Sequence, residues 1–202
     1  MSLRKPADVG FTARQKLTLF NGTALTAEQA LTTADESINF EMLVVNGVRA
    51  LNISTAGIRP LMLKQHGILE PQQLRRLGFD ALHLVDPVFC QEANSAYGAA
   101  SVIGAFLTTP GDAVALAGSD ATKTLNISVQ QLLEVCAGAP TEALSVLQQS
   151  TEPAPLKGVN ATTLLDTGLR APQLKQLGIN LIEVREMTDL GSDKLSKLGY
   201  TL

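Results

Sequence analysis

The segment that decides the fold is GVRALNISTAGIRPLMLKQHGI, residues 47–68, which recurs as GVNATTLLDTGLRAPQLKQLGI at residues 158–179. Ten of the 22 aligned positions are identical, far more than unrelated segments share by chance. The glycines recur every ten residues in both copies, and Gly78 closes the first block one residue late. A repeat with a fixed period indicates that the chain is built from stacked copies of one small unit.

Each unit of the repeat is predicted to be a very short helix that begins at a proline and ends at a glycine. Proline loses no hydrogen bond at the first helical position, where Pro60 and Pro71 stand, and Pro172 repeats the arrangement in the second block. A glycine just past the end of a helix takes the left-handed conformation that stops it, and the apolar residue after it packs back onto the preceding turn. This structural role is assigned to seven glycines: Gly47, Gly57, Gly67, Gly78, Gly158, Gly168 and Gly178.

Helices this short must stack, because nucleation is costly and isolated helices below about 12 residues are marginal in water. The sequence therefore predicts an all-α fold, an array of short helices that forms a solenoid-like or compact helical-repeat body. The predicted parts are an N-terminal helical cap region (1–46), a first helical-repeat block (47–80), a degenerate helical middle (81–150), a proline-containing linker (151–157) and a second helical-repeat block (158–202).

Residues with short polar side chains mark further helix starts outside the two blocks, because their oxygens accept hydrogen bonds from the free N–H groups of the first turn. Six such residues precede apolar stretches and are predicted to cap helices: Thr12 (helix 13–20), Thr26 (27–33), Asp35 (36–45), Ser119, Ser128 (129–136) and Thr141 (142–149).

The cadence of both blocks resembles the short helical repeats of α-solenoid proteins. Each unit has a glycine flanked by apolar residues, then a few polar residues, then a closing run such as Leu74-Arg75-Arg76-Leu77-Gly78. The resemblance implies a scaffold that binds other macromolecules, and it brings no catalytic residues with it.

The composition predicts a folded, soluble protein, with 45% apolar and 17% charged residues. The net charge of −3 argues against a general nucleic-acid binder, which needs clustered Lys and Arg. Charges at Arg4, Lys5 and Asp8 interrupt any secretory signal, and no apolar run approaches the roughly 18 residues of a membrane span. Two cysteines without a disulfide framework fit a reducing compartment, so we expect a cytoplasmic protein that does not enter a membrane.

Side chains with catalytic or metal-binding atoms are few and scattered. Cys90 could act as a nucleophile with His83 as its base, but no residue in the sequence can be named as the oxyanion donor or as a third, orienting group. His66, His83, Cys90 and Cys136 lack the short paired spacing that builds a zinc site. The sequence predicts no catalytic residue, no metal and no cofactor, and it identifies no small-molecule substrate.

The polar feature that the duplication preserves is a pair of cations in each block, Arg59 with Lys64 and Arg170 with Lys175. Equivalent positions of a stacked array recur on one surface, so these four residues are the predicted binding residues for an acidic partner. The leading hypothesis is a non-catalytic scaffold for protein–protein interaction, whose partner is another protein or a second copy of this chain. The alternatives are a nucleic-acid-binding repeat that uses the local basic residues and an enzyme with a site near Cys90.

Overall fold

The computed structural model describes residues 10–150 and 155–200, and the regular structure in these ranges is helical. An isolated parallel bridge between Asn160 and Thr188 is the one extended pairing among these residues. The predicted all-α class is therefore confirmed. Sixteen α-helices are described: α1 Ala13–Leu19, α2 Ala27–Thr32, α3 Phe40–Val45, α4 Ala50–Thr55, α5 Pro60–Gln65, α6 Pro71–Arg76, α7 Pro87–Tyr97, α8 Ala99–Phe106, α9 Pro110–Leu116, α10 Asp120–Leu125, α11 Val129–Glu134, α12 Pro140–Gln149, α13 Ala161–Asp166, α14 Ala171–Gln176, α15 Leu181–Val184 and α16 Ser192–Leu198.

The described residues fall into two compact units that do not follow the order of the chain. The first unit is drawn from Met1–Asp80 and Gln91–Ala105, and the second from Ala81–Cys90 and Phe106–Leu202. The first unit thus holds the first repeat block together with most of α7 and α8, and the second unit holds the second block. Residues 151–154 of the predicted linker lie outside the described residues.

Helix starts follow the cap chemistry that the sequence predicts at Thr12, Thr26 and Ser128. Each hydroxyl accepts a hydrogen bond from the backbone N–H three residues on, and the glutamine at that position accepts one from the N–H of the cap residue. This reciprocal pair satisfies two donors that the first turn would otherwise leave free. The three helices begin where predicted and end one or two residues earlier.

Two predicted helix starts are wrong. Asp35 begins a short 3-10 helix, Asp35–Ser37, and α3 starts only at Phe40, because the side chain of Asn39 accepts the N–H of Met42 and supplies the cap. Thr141 lies inside α12, which starts at Pro140 because proline suits the first helical position.

Glycines in the left-handed conformation recur in both blocks. All seven glycines assigned to helix stops have positive φ, from 68° at Gly57 to 93° at Gly78, but Gly158 lies in a turn at residues 155–158 and not after a described helix, so its prediction as a helix stop is wrong. At five of the seven the N–H of the residue after the glycine donates to the carbonyl five residues back, as in Ile68 to Leu63 (3.1 Å) and Ile179 to Leu174 (3.0 Å), and the two exceptions are Gly158 and Gly168. Both isoleucines are buried, so the helix stop also contributes an apolar side chain to the core.

In each unit, the start of a helix donates a hydrogen bond to a carbonyl that comes later in the chain. The N–H of Ala50 donates to the carbonyl of Leu77 (2.7 Å) in the first unit, and the N–H of Ala161 donates to the carbonyl of Thr188 (3.2 Å) in the second. Leu77 caps the end of α6, whereas Thr188 lies in the bridge beyond α15, so the free donor at the helix start is satisfied by a helix end in the first unit and by extended backbone in the second. Such bonds hold short helices together that could not persist alone.

Candidate functional site

Lys64, a predicted binding residue, is engaged inside its own unit. Its ammonium lies 5.6 Å from the ring centroid of Tyr97 and donates to the carbonyl of Ala96. The hydroxyl of Tyr97 donates in turn to the carbonyl of Ile68 (3.0 Å). Burial raises the pKa of the Tyr97 phenol, so it remains a neutral donor. Lys64 and Tyr97 together fasten the C-terminal half of α7 to the end of α5.

Lys175 makes the same arrangement in the second unit. Its ammonium lies 5.5 Å from the ring centroid of Tyr200, whose hydroxyl donates to the carbonyl of Ile179 (3.0 Å). Burial, with a smaller effect of Glu183, raises the pKa of Tyr200. We call this arrangement of lysine, tyrosine and isoleucine carbonyl the Lys–Tyr clasp. Both duplicated lysines therefore have a structural role, and a cation–π contact of this kind keeps each ammonium close to its tyrosine.

The two duplicated arginines differ. Arg170 donates from its guanidinium to the carbonyl of Leu169 (2.7 Å) and, at 3.4 Å, to that of Leu165 near the end of α13. Arg59 is exposed at the start of α5, and its guanidinium makes no hydrogen bond, ion pair or ring contact with any residue that the structure describes. Of the four predicted binding residues, Arg59 is the one whose charge has no described partner.

Arg59 forms one wall of a cleft in the first unit, which we call the Arg59 cleft. Its volume is about 290 Å³. The residues that line it are Gly57, Arg59, Leu61, Met62, Gln65 and Glu92. Glu92 belongs to α7, which the Lys64–Tyr97 clasp fastens to α5, so the clasp holds the acidic wall of the cleft beside the basic one.

Two exposed leucines that lie beside arginines of the first block were not predicted from the sequence as site residues. Leu51 is 78% exposed and Leu61 is 41% exposed, each two residues after an exposed arginine, Arg49 and Arg59. The pattern Arg-x-Leu at a ten-residue spacing is the signal that could have identified them. The second block has Thr162 and Pro172 at the aligned positions.

His66 is explained by packing. Its ring stacks on Phe11 with centroids 4.1 Å apart, and its Nδ1 lies 3.2 Å from the carbonyl oxygen of Asp35. The Asp35 carboxylate forms an ion pair with Lys16 (2.7 Å). His66 thus joins Phe11 and Asp35, which precede the first block, to the end of α5. The aligned Leu177 cannot make the equivalent hydrogen bond.

Cys90, the nucleophile of the enzyme alternative, lies in the core of the protein. Cys90 and Cys136 are free thiols, and both are fully buried. Burial raises the pKa of Cys90, and it raises that of Cys136 to about 11 with a further contribution from Glu142. A raised pKa lowers the thiolate fraction at neutral pH, whereas a catalytic cysteine needs its pKa lowered.

Residues 10–150 and 155–200 contain no cluster of three or more His, Cys, Asp or Glu side chains that could hold a metal ion. None of their helices combines the length and the hydropathy that a membrane span requires. Comparison with protein families, with curated proteins and with solved structures finds no significant match to this chain.

Proposed function

We propose that this chain is a non-catalytic scaffold whose first repeat block binds a protein partner. The observation that carries the proposal is the Arg59 cleft, where an arginine without a described partner stands beside the exposed side chain of Leu61. Arginine and methionine, which the cleft presents as Arg59 and Met62, are enriched at protein interfaces relative to the rest of the surface.

The proposed architecture is an array in which short helices stack at a separation of about three repeat units. Side-chain hydrogen bonds that join separate helices support it, because within each unit several of them span 28 to 33 residues. Such an array repeats its interior while its surface is free to vary, which is how repeat proteins build binding surfaces. The two free thiols support a reducing compartment, and we propose that the protein acts in the cytoplasm.

Affinity capture with matched surface variants tests the function. The full chain is tagged, exposed to lysate of its own cell with and without nuclease treatment, and compared with Leu61→Ser and Ile182→Ser. Ile182 is the matched control because it is also an exposed aliphatic residue, at 72%, and it lies outside the Arg59 cleft.

We expect a specific protein to be captured by the parent chain and by Ile182→Ser and to be lost with Leu61→Ser. Capture of a second copy of this chain with the same dependence would identify self-association as the scaffold's role. Capture that disappears with nuclease treatment, or that is indifferent to Leu61, would contradict the proposal. Nucleic-acid binding would instead show a steep loss of affinity with added salt.

A further inference from the structure

The acidic residue of the Arg59 cleft, Glu92, has no described partner for its charge, as is also true of Arg59. Glu92 is half-buried and, like Arg59, makes no hydrogen bond or ion pair with the residues that the structure describes. The two charges line one cleft without pairing with each other. The same cleft is lined by the apolar residues Leu61 and Met62 and by Gln65.

We infer that the Arg59 cleft binds a short peptide segment in which an acidic and a basic side chain flank an apolar one. The acidic side chain pairs with Arg59, the basic side chain pairs with Glu92, and the apolar side chain covers Leu61 and Met62. The inference rests on the proposed function, and it names the chemistry of the partner at that site.

Charge complementarity favours this occupant over the alternatives. A guanidinium recognises a carboxylate through two parallel hydrogen bonds, and a half-buried carboxylate that meets no cation on binding loses part of its hydration without compensation. A nucleic acid or a purely acidic peptide would therefore bring negative charge against Glu92. A purely basic peptide would bring positive charge against Arg59, and specificity of this kind depends on such unfavourable pairs as much as on favourable ones.

The size of the cleft supports a peptide segment as the occupant. A volume of about 290 Å³ lies just below the range for sites that enclose small ligands, so it suits a few side chains of an exposed segment. The Lys64–Tyr97 clasp joins α7 to α5, so Glu92 and Arg59 are held on the same cleft before a peptide binds. A preformed site loses less conformational entropy on binding.

The experiment uses arrays of short synthetic peptides probed with the full-length chain. One set carries Asp, Leu and Lys in both orders and at varied spacing, and three matched sets replace Lys by Asp, Asp by Lys, or Leu by Ser. The strongest peptide is then labelled and titrated by fluorescence anisotropy against the parent chain, Arg59→Ala, Glu92→Gln and Arg170→Ala. Arg170 is the matched control because it is the aligned arginine of the second block.

We expect the mixed-charge set to bind most tightly, and we expect Arg59→Ala and Glu92→Gln each to weaken the labelled peptide about tenfold, the effect of one charge-assisted contact. Arg170→Ala is expected to leave the affinity unchanged. All four chains are melted in parallel to show that they are folded. Equal binding of the four peptide sets, no binding at all, or indifference to both substitutions would overturn the inference.

A labelled single-stranded RNA is titrated in the same way. RNA binding that depends on Arg59 in the absence of peptide binding would overturn the inference in favour of a nucleic-acid ligand. Failure of the inference is distinguishable from failure of the proposed function. If Leu61→Ser abolishes capture of a protein while Arg59→Ala and Glu92→Gln do not, the scaffold function stands and the proposed partner chemistry falls.

Discussion

The two repeat blocks share the contacts that hold their helices together and differ in the surroundings of their aligned arginines. Each has left-handed glycines at its helix stops, a Lys–Tyr clasp and a hydrogen bond from its first helix start to a carbonyl later in the chain. In the first block, however, Arg59 has no described partner, whereas Arg170 of the second block donates to the carbonyls of Leu165 and Leu169. The two aligned segments therefore share a framework of contacts, and the proposed binding surface lies where they differ.

The equivalence of the blocks extends beyond the segment that the sequence aligns. Continuing the same register pairs Gly78 with Asp189, and both have positive φ, 93° and 54°. Gly78 is a plain helix stop. The carboxylate of Asp189 accepts hydrogen bonds from the N–H of Ala161 (2.7 Å) and the hydroxyl of Thr162 (2.9 Å), and it pairs with Lys194. The second block therefore adds side-chain bonds at a point where the first relies on glycine.

The buried leucines of the aligned helices should give the largest effect and should not distinguish the blocks. Leu63 and Leu174 are 1% and 0% exposed. Substitution of either by alanine removes apolar contacts and leaves a cavity, so we expect a loss of about 2 to 5 kcal/mol in the free energy of unfolding. Denaturant titration measures it. A loss below about 1 kcal/mol at either site would show that this leucine is not a core residue of a folded block.

The glycine stops should give the next largest effect. Gly67→Val and Gly178→Val place a β-branched side chain at positive φ, which costs about 1 to 2 kcal/mol. Neither site is crowded, since a Cβ at Gly67 would have only the Cβ of Asn39 within 4 Å, at 3.8 Å, and one at Gly178 would have no neighbour that close. The loss should therefore be similar in both blocks and should come from the backbone. Unchanged melting of either variant would contradict the helix-stop role.

The clasp tyrosines should distinguish the blocks by burial. Tyr97→Phe and Tyr200→Phe each leave an isoleucine carbonyl without its donor, at a cost of about 1 kcal/mol. Because Tyr200 is buried and Tyr97 only half-buried, water can replace the lost bond more easily in the first block. We expect the larger loss of stability in Tyr200→Phe by thermal melting. The opposite order would show that burial of the tyrosine does not set the cost of losing its hydrogen bond.

The smallest effect should be the pH dependence that Asp189 adds to the second block. The hydrogen bond from Lys194, followed by those from Thr162 and Ala161, lowers the pKa of Asp189. Its contribution is therefore present above the unfolded pKa of about 3.9 and is lost as the pH falls through the lower folded value. Asp189→Gly, which copies the first block, should flatten the fall in melting temperature on acidification. Parallel curves for the two chains would remove this distinction.

The sequence predicts the local structure well because its signals are local. Proline at Pro60, glycine at Gly67 and the cap at Thr12 each act through the residue's own backbone or through a neighbour within one turn. Asp35 misleads because the better-placed cap, Asn39, lies four residues on and has no stronger signal in the sequence.

The site could be predicted only in part. Arg59 carries a repeat signal, but its status depends on which cations find partners, and the clasp partners are 21 to 32 residues distant in the chain. Tyr97 and Tyr200 stand at different distances from their isoleucines, so alignment of the blocks does not pair them. Glu92 lines the cleft although it lies in α7, on a different helix from Arg59 and far from it in the chain. Such contacts belong to the tertiary structure, which no local pattern records.

The most direct test of the difference between the blocks is hydrogen–deuterium exchange of the full chain, alone and with its captured partner. If the first block is the binding surface, slowed exchange should appear in fragments that cover residues 57–65 and the stretch of α7 around Glu92. Fragments that cover residues 168–176 should exchange at the same rate in both samples. Protection confined to the second block, or equal protection of the two, would contradict the account.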